Sequence, residues 1–110
     1  MAEVFYHWTQ PDLVPAILAD GLRLDAGGRP HFCIYLARSP VSWAQPGLVL
    51  LEVAVPSETP VHTCRWMDES VLEADIPSEW IKPAEADFAA ACIADCITLR
   101  AHMGIVQEVA

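Results

Sequence analysis

Leu48–Val49–Leu50–Leu51–Glu52–Val53–Ala54–Val55 is the most strand-like stretch of this chain. A period of two sets Val49, Leu51, Val53 and Val55 on one side and Leu48, Leu50 and Ala54 on the other. Apolar residues on both faces predict a central strand covered from both sides. Such a strand needs partners, and the candidates are Val4–Tyr6, Phe32–Leu36, Pro60–Trp66, Glu69–Leu72 and a final Ile105–Val109.

Two helices complete the pattern. Thr9 reads as an N-cap, with Pro11 in the first turn and Asp12 at the third helical position. The helix that follows carries Leu13 and Ile17 flanked by Val14 and Leu18, and Gly21 closes it. A second helix is expected from Pro83 to about His102, with Phe88, Cys92, Cys96 and Leu99 on one face and Gly104 as its stop. Ser39–Pro40 reads as the cap of a short helix ending at Pro46–Gly47, and Asp25–Pro30 as a loop. Strands outnumber helices and do not alternate with them. The expected class is therefore α+β with a mostly antiparallel sheet, in a single domain over residues 1–110.

Composition narrows the function. The chain has 110 residues, 54% of them hydrophobic and 19% charged, which suits a packed core rather than disorder. Six Lys and Arg stand against fifteen Asp and Glu, a net charge of −9. That balance argues against bulk nucleic-acid binding and against an anionic membrane surface, since both need Lys and Arg to meet phosphates. No apolar run approaches the roughly 20 residues that span a bilayer. The N-terminal Met1–Tyr6 lacks the basic start of a signal peptide. Cys33, Cys64, Cys92 and Cys96 do not make a disulfide scaffold, so a cytoplasmic protein is expected, with a homodimer left open.

Several residues are candidates for chemistry. His7 follows a strand and precedes a helix start, where free backbone N–H groups suit a polar ligand. It serves there either as a ligand group or as a histidine with a local hydrogen bond. Tyr35 shares a strand side with Cys33 and offers a flat face and a hydroxyl, or else a core phenol. Glu69 shares a face with Val71 and Glu73, and points either to solvent or into a cleft where a carboxylate meets developing positive charge. Ser39 fits a turn cap. Cys92 and Cys96, with His62 and Cys64, have the chemistry of a zinc site. Both helical cysteines sit in an apolar stripe and no CxxC pair is present, so no metal is expected.

The order of these signals is informative. Tyr6–His7–Trp8–Thr9, a helix ending Asp20–Gly21–Leu22, and Ile34–Tyr35–Leu36–Ala37–Arg38–Ser39–Pro40 resemble the ADP-ribosyltransferase superfamily. The likeness is to its histidine–tyrosine–glutamate branch, which holds the poly(ADP-ribose) polymerases and diphtheria-type toxins. Ser39 or Ser42 and Ala44 match its later Ser and Ala positions. The stretch from Glu69 through Ile76–Pro77–Ser78–Glu79–Trp80–Ile81 resembles the strand of the catalytic glutamate and its ending. The resemblance spans residues 4–81 and departs at Trp8, where the best-known members carry Gly.

The resemblance implies a split sheet holding NAD, as substrate, between its halves. His7 would hydrogen-bond a ribose, the backbone beside it would hold the carboxamide, and Tyr35 would stack on the nicotinamide ring. Glu69 would hold a ribose hydroxyl and stabilise the oxocarbenium-like state, with Glu73 and Glu108 as alternative carboxylates. The implied NAD-binding set is His7, Trp8, Thr9, Tyr35, Arg38 and Ser39. The activity implied is ADP-ribosyl transfer to an acceptor, or NAD hydrolysis. Alternatives are a non-catalytic nucleotide- or protein-binding domain of the same fold, and an RNA 2′-phosphotransferase. The last would use Arg23, Arg29, Arg38 and Arg65 as one basic rim.

Overall fold

The computed structural model describes residues 1–26 and 32–103. In it the chain runs β1 (Ala2–Thr9), α1 (Val14–Asp20), β2 (Ile34–Leu36), β3 (Val49–Pro56), β4 (His62–Thr63), β5 (Ser70–Leu72), β6 (Ile81–Pro83) and α2 (Ala86–His102). The fold is α+β, with two antiparallel three-stranded sheets ordered β1–β3–β6 and β2–β5–β4. β3 is central, as its two apolar faces require. Leu50, Leu51, Val53 and Val55 are all buried.

β1 pairs with β3 over eight residues, from Ala2 opposite Pro56 to Thr9 opposite Val49. The strand thus extends beyond Val4–Tyr6 at both ends, and Thr9 is its last ladder residue rather than a helix cap. Gln10 holds the cap position instead, extended at φ −65° and ψ 141° and with no side-chain cap bond. A 3₁₀ turn at Pro11–Leu13 then leads into α1, where Ile17 is the buried residue. Leu13 and Leu18 remain exposed, so the expected stripe reduces to one anchor.

Gly21 closes α1 as expected, donating its N–H to Ile17 O at 2.8 Å. Its φ of +84° with ψ −176° lies in a region that only glycine adopts readily. A Cβ there would also run into the carbonyl of Ile76, which accepts the N–H of Leu22 in a two-bond bridge of 2.9 and 2.8 Å.

The sheets meet at a second bridge. Tyr6 N–H donates to Ala37 O at 2.7 Å and Ala37 N–H to Tyr6 O at 2.8 Å. Phe5, Leu51, Val53 and Val55 from the first sheet share one core with Ile34, Leu36 and Leu72 from the second. Ile76 and Ile81 close that core from the β5–β6 segment.

Other expectations shift. No helix forms at residues 39–47; turns occupy residues 40–43, and Trp43 adopts φ +67°. β2, β4 and β5 are two or three residues long, shorter than the stretches that suggested them, and Phe32 is almost fully exposed. Pro83 ends β6 instead of starting the second helix, because Ile81–Pro83 pairs with Val53–Leu51. α2 begins three residues later and buries Cys92 and Cys96, while Phe88 and Leu99 stay exposed. Cys92 comes near Tyr6, whose phenol is pushed up by burial and further by Glu52 and Cys92. Ile105–Val109, Glu108, Arg29 and most of the Asp25–Pro30 loop lie outside the described residues.

Candidate functional site

The site begins where β1 and β2 part. Tyr6 and Ala37 are bonded across the gap, but one residue further the backbones no longer pair. Tyr35 O is met instead by the imidazole of His7, with Nδ1 3.1 Å away. A carbonyl only accepts, so Nδ1 carries the proton and donates it. Burial lowers the His7 pKa and the bond to Tyr35 partly offsets that shift, which favours a neutral ring. Nε2 is then left as an acceptor. The bland local bond and the ligand-facing group are thus one residue, tied on one nitrogen and free on the other.

Tyr35 is half exposed, at 56%. Its phenol pKa is raised, first by the neighbouring Cys33 thiol and in smaller part by the Glu69 carboxylate. Glu69 stands just before β5, its N–H donated to Met67 O and its carbonyl accepting Cys64 N–H, both at 2.9 Å. His7, Tyr35 and Glu69 line one cleft of about 340 Å³, with Tyr6, Trp8 and Trp43 as further walls. Glu73 is exposed and is not among the residues lining it.

A larger cavity of about 730 Å³ shares His7 and Tyr35 with the first and is lined also by Ile17, Leu22 and Ile34. Thr9 lines that second cavity and not the first. Arg23 lines it too, paired with Asp25 at 2.9 Å. Arg38 turns away, its guanidinium 3.6 Å from Glu3 on a separate depression. Ser39 caps a turn as expected, its Oγ accepting Val41 N–H at 3.2 Å. Trp8 lines the cleft and donates its indole N–H to Pro40 O at 3.0 Å. Of the six residues expected to bind NAD, His7, Trp8 and Tyr35 come together in the cleft; Thr9, Arg38 and Ser39 do not. Of the arginines expected to form one basic rim, Arg23 and Arg38 line separate depressions.

Two site residues gave no signal in the sequence. Trp43 lines the cleft at φ +67°, a conformation that costs a bulky residue on the order of 1–3 kcal/mol. Asp68 holds the segment that carries it. One carboxylate oxygen accepts Arg38 N–H at 2.7 Å; the other accepts Ser39 N–H at 2.8 Å and the Ser42 hydroxyl at 2.7 Å. The Asp68 carbonyl accepts the Trp43 indole N–H at 3.0 Å. Partial burial alone would raise the Asp68 pKa, but the bonds from Ser42, Arg38 and Ser39 outweigh it and hold the carboxyl below its usual range. Ser39 and Ser42 are the alternatives for the Ser position that the resemblance implies, and both bond to Asp68.

Among the described residues, no group of three or more His, Cys, Asp or Glu side chains is placed to hold a metal ion. No helix among them is long and apolar enough to cross a membrane. Compared with protein-family models, with curated proteins and with solved structures, the chain matches none of them.

Proposed function

We propose that this chain cleaves the nicotinamide–ribose bond of NAD, as an ADP-ribosyltransferase or an NAD glycohydrolase. The observation that carries the reading is the convergence of His7, Tyr35 and Glu69 on one cleft between two sheet halves. Its volume of about 340 Å³ falls within the range of small-molecule pockets. The larger cavity that shares His7 and Tyr35 gives room for the rest of a dinucleotide.

Each group has a matching task. Tyr35 presents a half-exposed ring for stacking a planar heterocycle. His7 keeps Nε2 free to accept from a ribose hydroxyl, while its Nδ1 bond fixes the ring. Glu69 sets a carboxylate beside the carbon that turns cationic as the C–N bond breaks. Nicotinamide leaves with the bonding electron pair. An acceptor nucleophile then bonds to that carbon and gives up its proton, yielding ADP-ribose when the acceptor is water.

Free nicotinamide released from NAD is the measurement. Glu69→Gln is expected to lower kcat on the order of a hundredfold or more, as removing an electrostatic stabiliser does elsewhere. His7→Ala is expected to act mainly on KM. Turnover unchanged in both variants would remove the assignment.

One observation favours a second reading, a binding domain of the same fold without catalysis. Trp8, a bulky side chain beside His7, lines the cleft with its indole N–H bonded to Pro40 O. In that case excess NAD raises Tm without releasing nicotinamide; ligand at a hundred times Kd adds about 2.7 kcal/mol to the native state.

A further inference from the structure

We infer that Asp68 is the positioning residue of the cleft, stapling the residue 38–43 segment to the strand entry that carries Glu69, so that the Trp43 wall and the Glu69 carboxylate form one rigid unit. The inference rests on the NAD reading of the cleft for its functional half, and on the hydrogen bonds alone for its structural half.

The residue 38–43 segment has no helix and no strand of its own after the Ala37 bridge. It nevertheless has to supply Pro40 O to the Trp8 indole and place Trp43 on the cleft. Its order comes from outside, and the source is Asp68. One side chain takes two consecutive backbone N–H groups, Arg38 and Ser39, and the Ser42 hydroxyl beyond them. The main chain of the same residue takes the Trp43 indole. A backbone N–H pair and a hydroxyl all donate, so the receiving group must be acceptor-only on both oxygens, which an ionised carboxylate is and an amide is not.

The position in sequence gives the arrangement its meaning. Asp68 is bonded covalently to Glu69, whose own backbone is fixed by Met67 O and Cys64 N–H. The placing of the Trp43 wall relative to Glu69 therefore runs through one residue that is not itself among those lining the cleft. Trp43 also sits at φ +67°, which the free segment would not hold by preference. Releasing the staple lets that residue relax, and the cleft loses its wall before it loses its carboxylate.

The test has an arm that needs no ligand. The chain has four tryptophans, so 5-fluorotryptophan labelling gives four ¹⁹F signals, with Trp43 assigned by its loss in Trp43→Phe. Asp68→Asn and Asp68→Ala are expected to shift or broaden the Trp43 signal while Trp80, packed against the core, keeps its own. In the NAD assay the same variants are expected to raise KM on the order of tenfold or more and to change kcat less. Ser42→Ala removes one bond of the set and is expected to raise KM only a few-fold. It also serves as the readout if Asp68→Ala fails to fold, which loss of the native Trp80 signal would reveal. A Trp43 signal unmoved in Asp68→Asn, or a moved signal with wild-type KM, overturns the inference. A wild-type protein inert to NAD removes the reading of the cleft, and the ¹⁹F signals then decide the staple alone.

Discussion

The two sheets share a core but differ in the length of their ladders. β1 and β3 share an eight-residue ladder, and the middle strand has Leu50, Leu51, Val53 and Val55 all buried. β2, β5 and β4 share ladders of two or three residues, and Tyr35 at the centre of β2 is 56% exposed. Both sheets feed one core, with Ile34, Leu36 and Leu72 of the second buried in it, but the second has the shorter ladders and adds hydrogen bonds from its flanking residues, such as Cys64 N–H to Glu69 O. The chemical groups follow this division. His7 belongs to the long ladder at the point where it leaves the short one, while Tyr35 and Glu69 belong to the short one. A rigid scaffold thus holds one group and presents it to two others whose position is tuned by polar contacts.

That division predicts where a single substitution does most harm to folding. Leu51 is fully buried in the middle of β3. Leu51→Ala is expected to cost about 2–5 kcal/mol, from lost burial plus the cavity left behind. Urea unfolding checks it; a change under about 1 kcal/mol would mean that the first sheet is not the apolar scaffold described. Gly21→Ala comes next. It combines a glycine-only backbone conformation with a clash against the Ile76 carbonyl, and is expected to cost about 1–3 kcal/mol for the backbone before the clash is added.

These two positions were also the most legible in the sequence, for the same reason that they matter. β3 announces itself because a period of two with both faces apolar has few other uses, and Gly21 because it follows a helical stripe. The site was legible in its residue types and not in its assembly. His7, Tyr35 and Glu69 stand out by order along the chain, yet what joins them is the Tyr6–Ala37 bridge and the placing of Glu69 just before β5. Neither is local. Trp43 and Asp68 depend wholly on contacts between segments about 25–30 residues apart, so no window of sequence contains them. Pro83 misled because proline suits a helix start and a strand end equally well. Here the register with Leu51 decided it.

The junction itself is open to test through pH. Burial lowers the His7 pKa in the folded protein, so below the unfolded value of about 6.5 the unfolded chain binds more protons than the native one. Stability is therefore complete above that pH and falls as the solution is acidified through it, by at most about 1.4 kcal/mol per pH unit from this group. His7→Gln is expected to flatten that part of the profile of Tm against pH between 7.5 and 5.5. An unaltered slope would mean that His7 is not held neutral where the sheets part.

Arg38 separates the side-chain from the main-chain contribution within the short-sheet region, and it is where the smallest effect is expected. Its guanidinium pairs with Glu3 at 3.6 Å with both side chains more than half exposed, an arrangement worth at most about 1 kcal/mol. Its N–H, by contrast, is one of the donors that Asp68 holds at 2.7 Å. Arg38→Ala keeps the N–H and discards the guanidinium. The expected result is a change in KM for NAD below about twofold and a loss of stability below about 1 kcal/mol. A guanidinium that binds the pyrophosphate of NAD would give a much larger rise in KM, because a charge-assisted hydrogen bond contributes about 1.5–3 kcal/mol. Kinetics on this one variant thus decide whether Arg38 serves the cleft through its backbone alone.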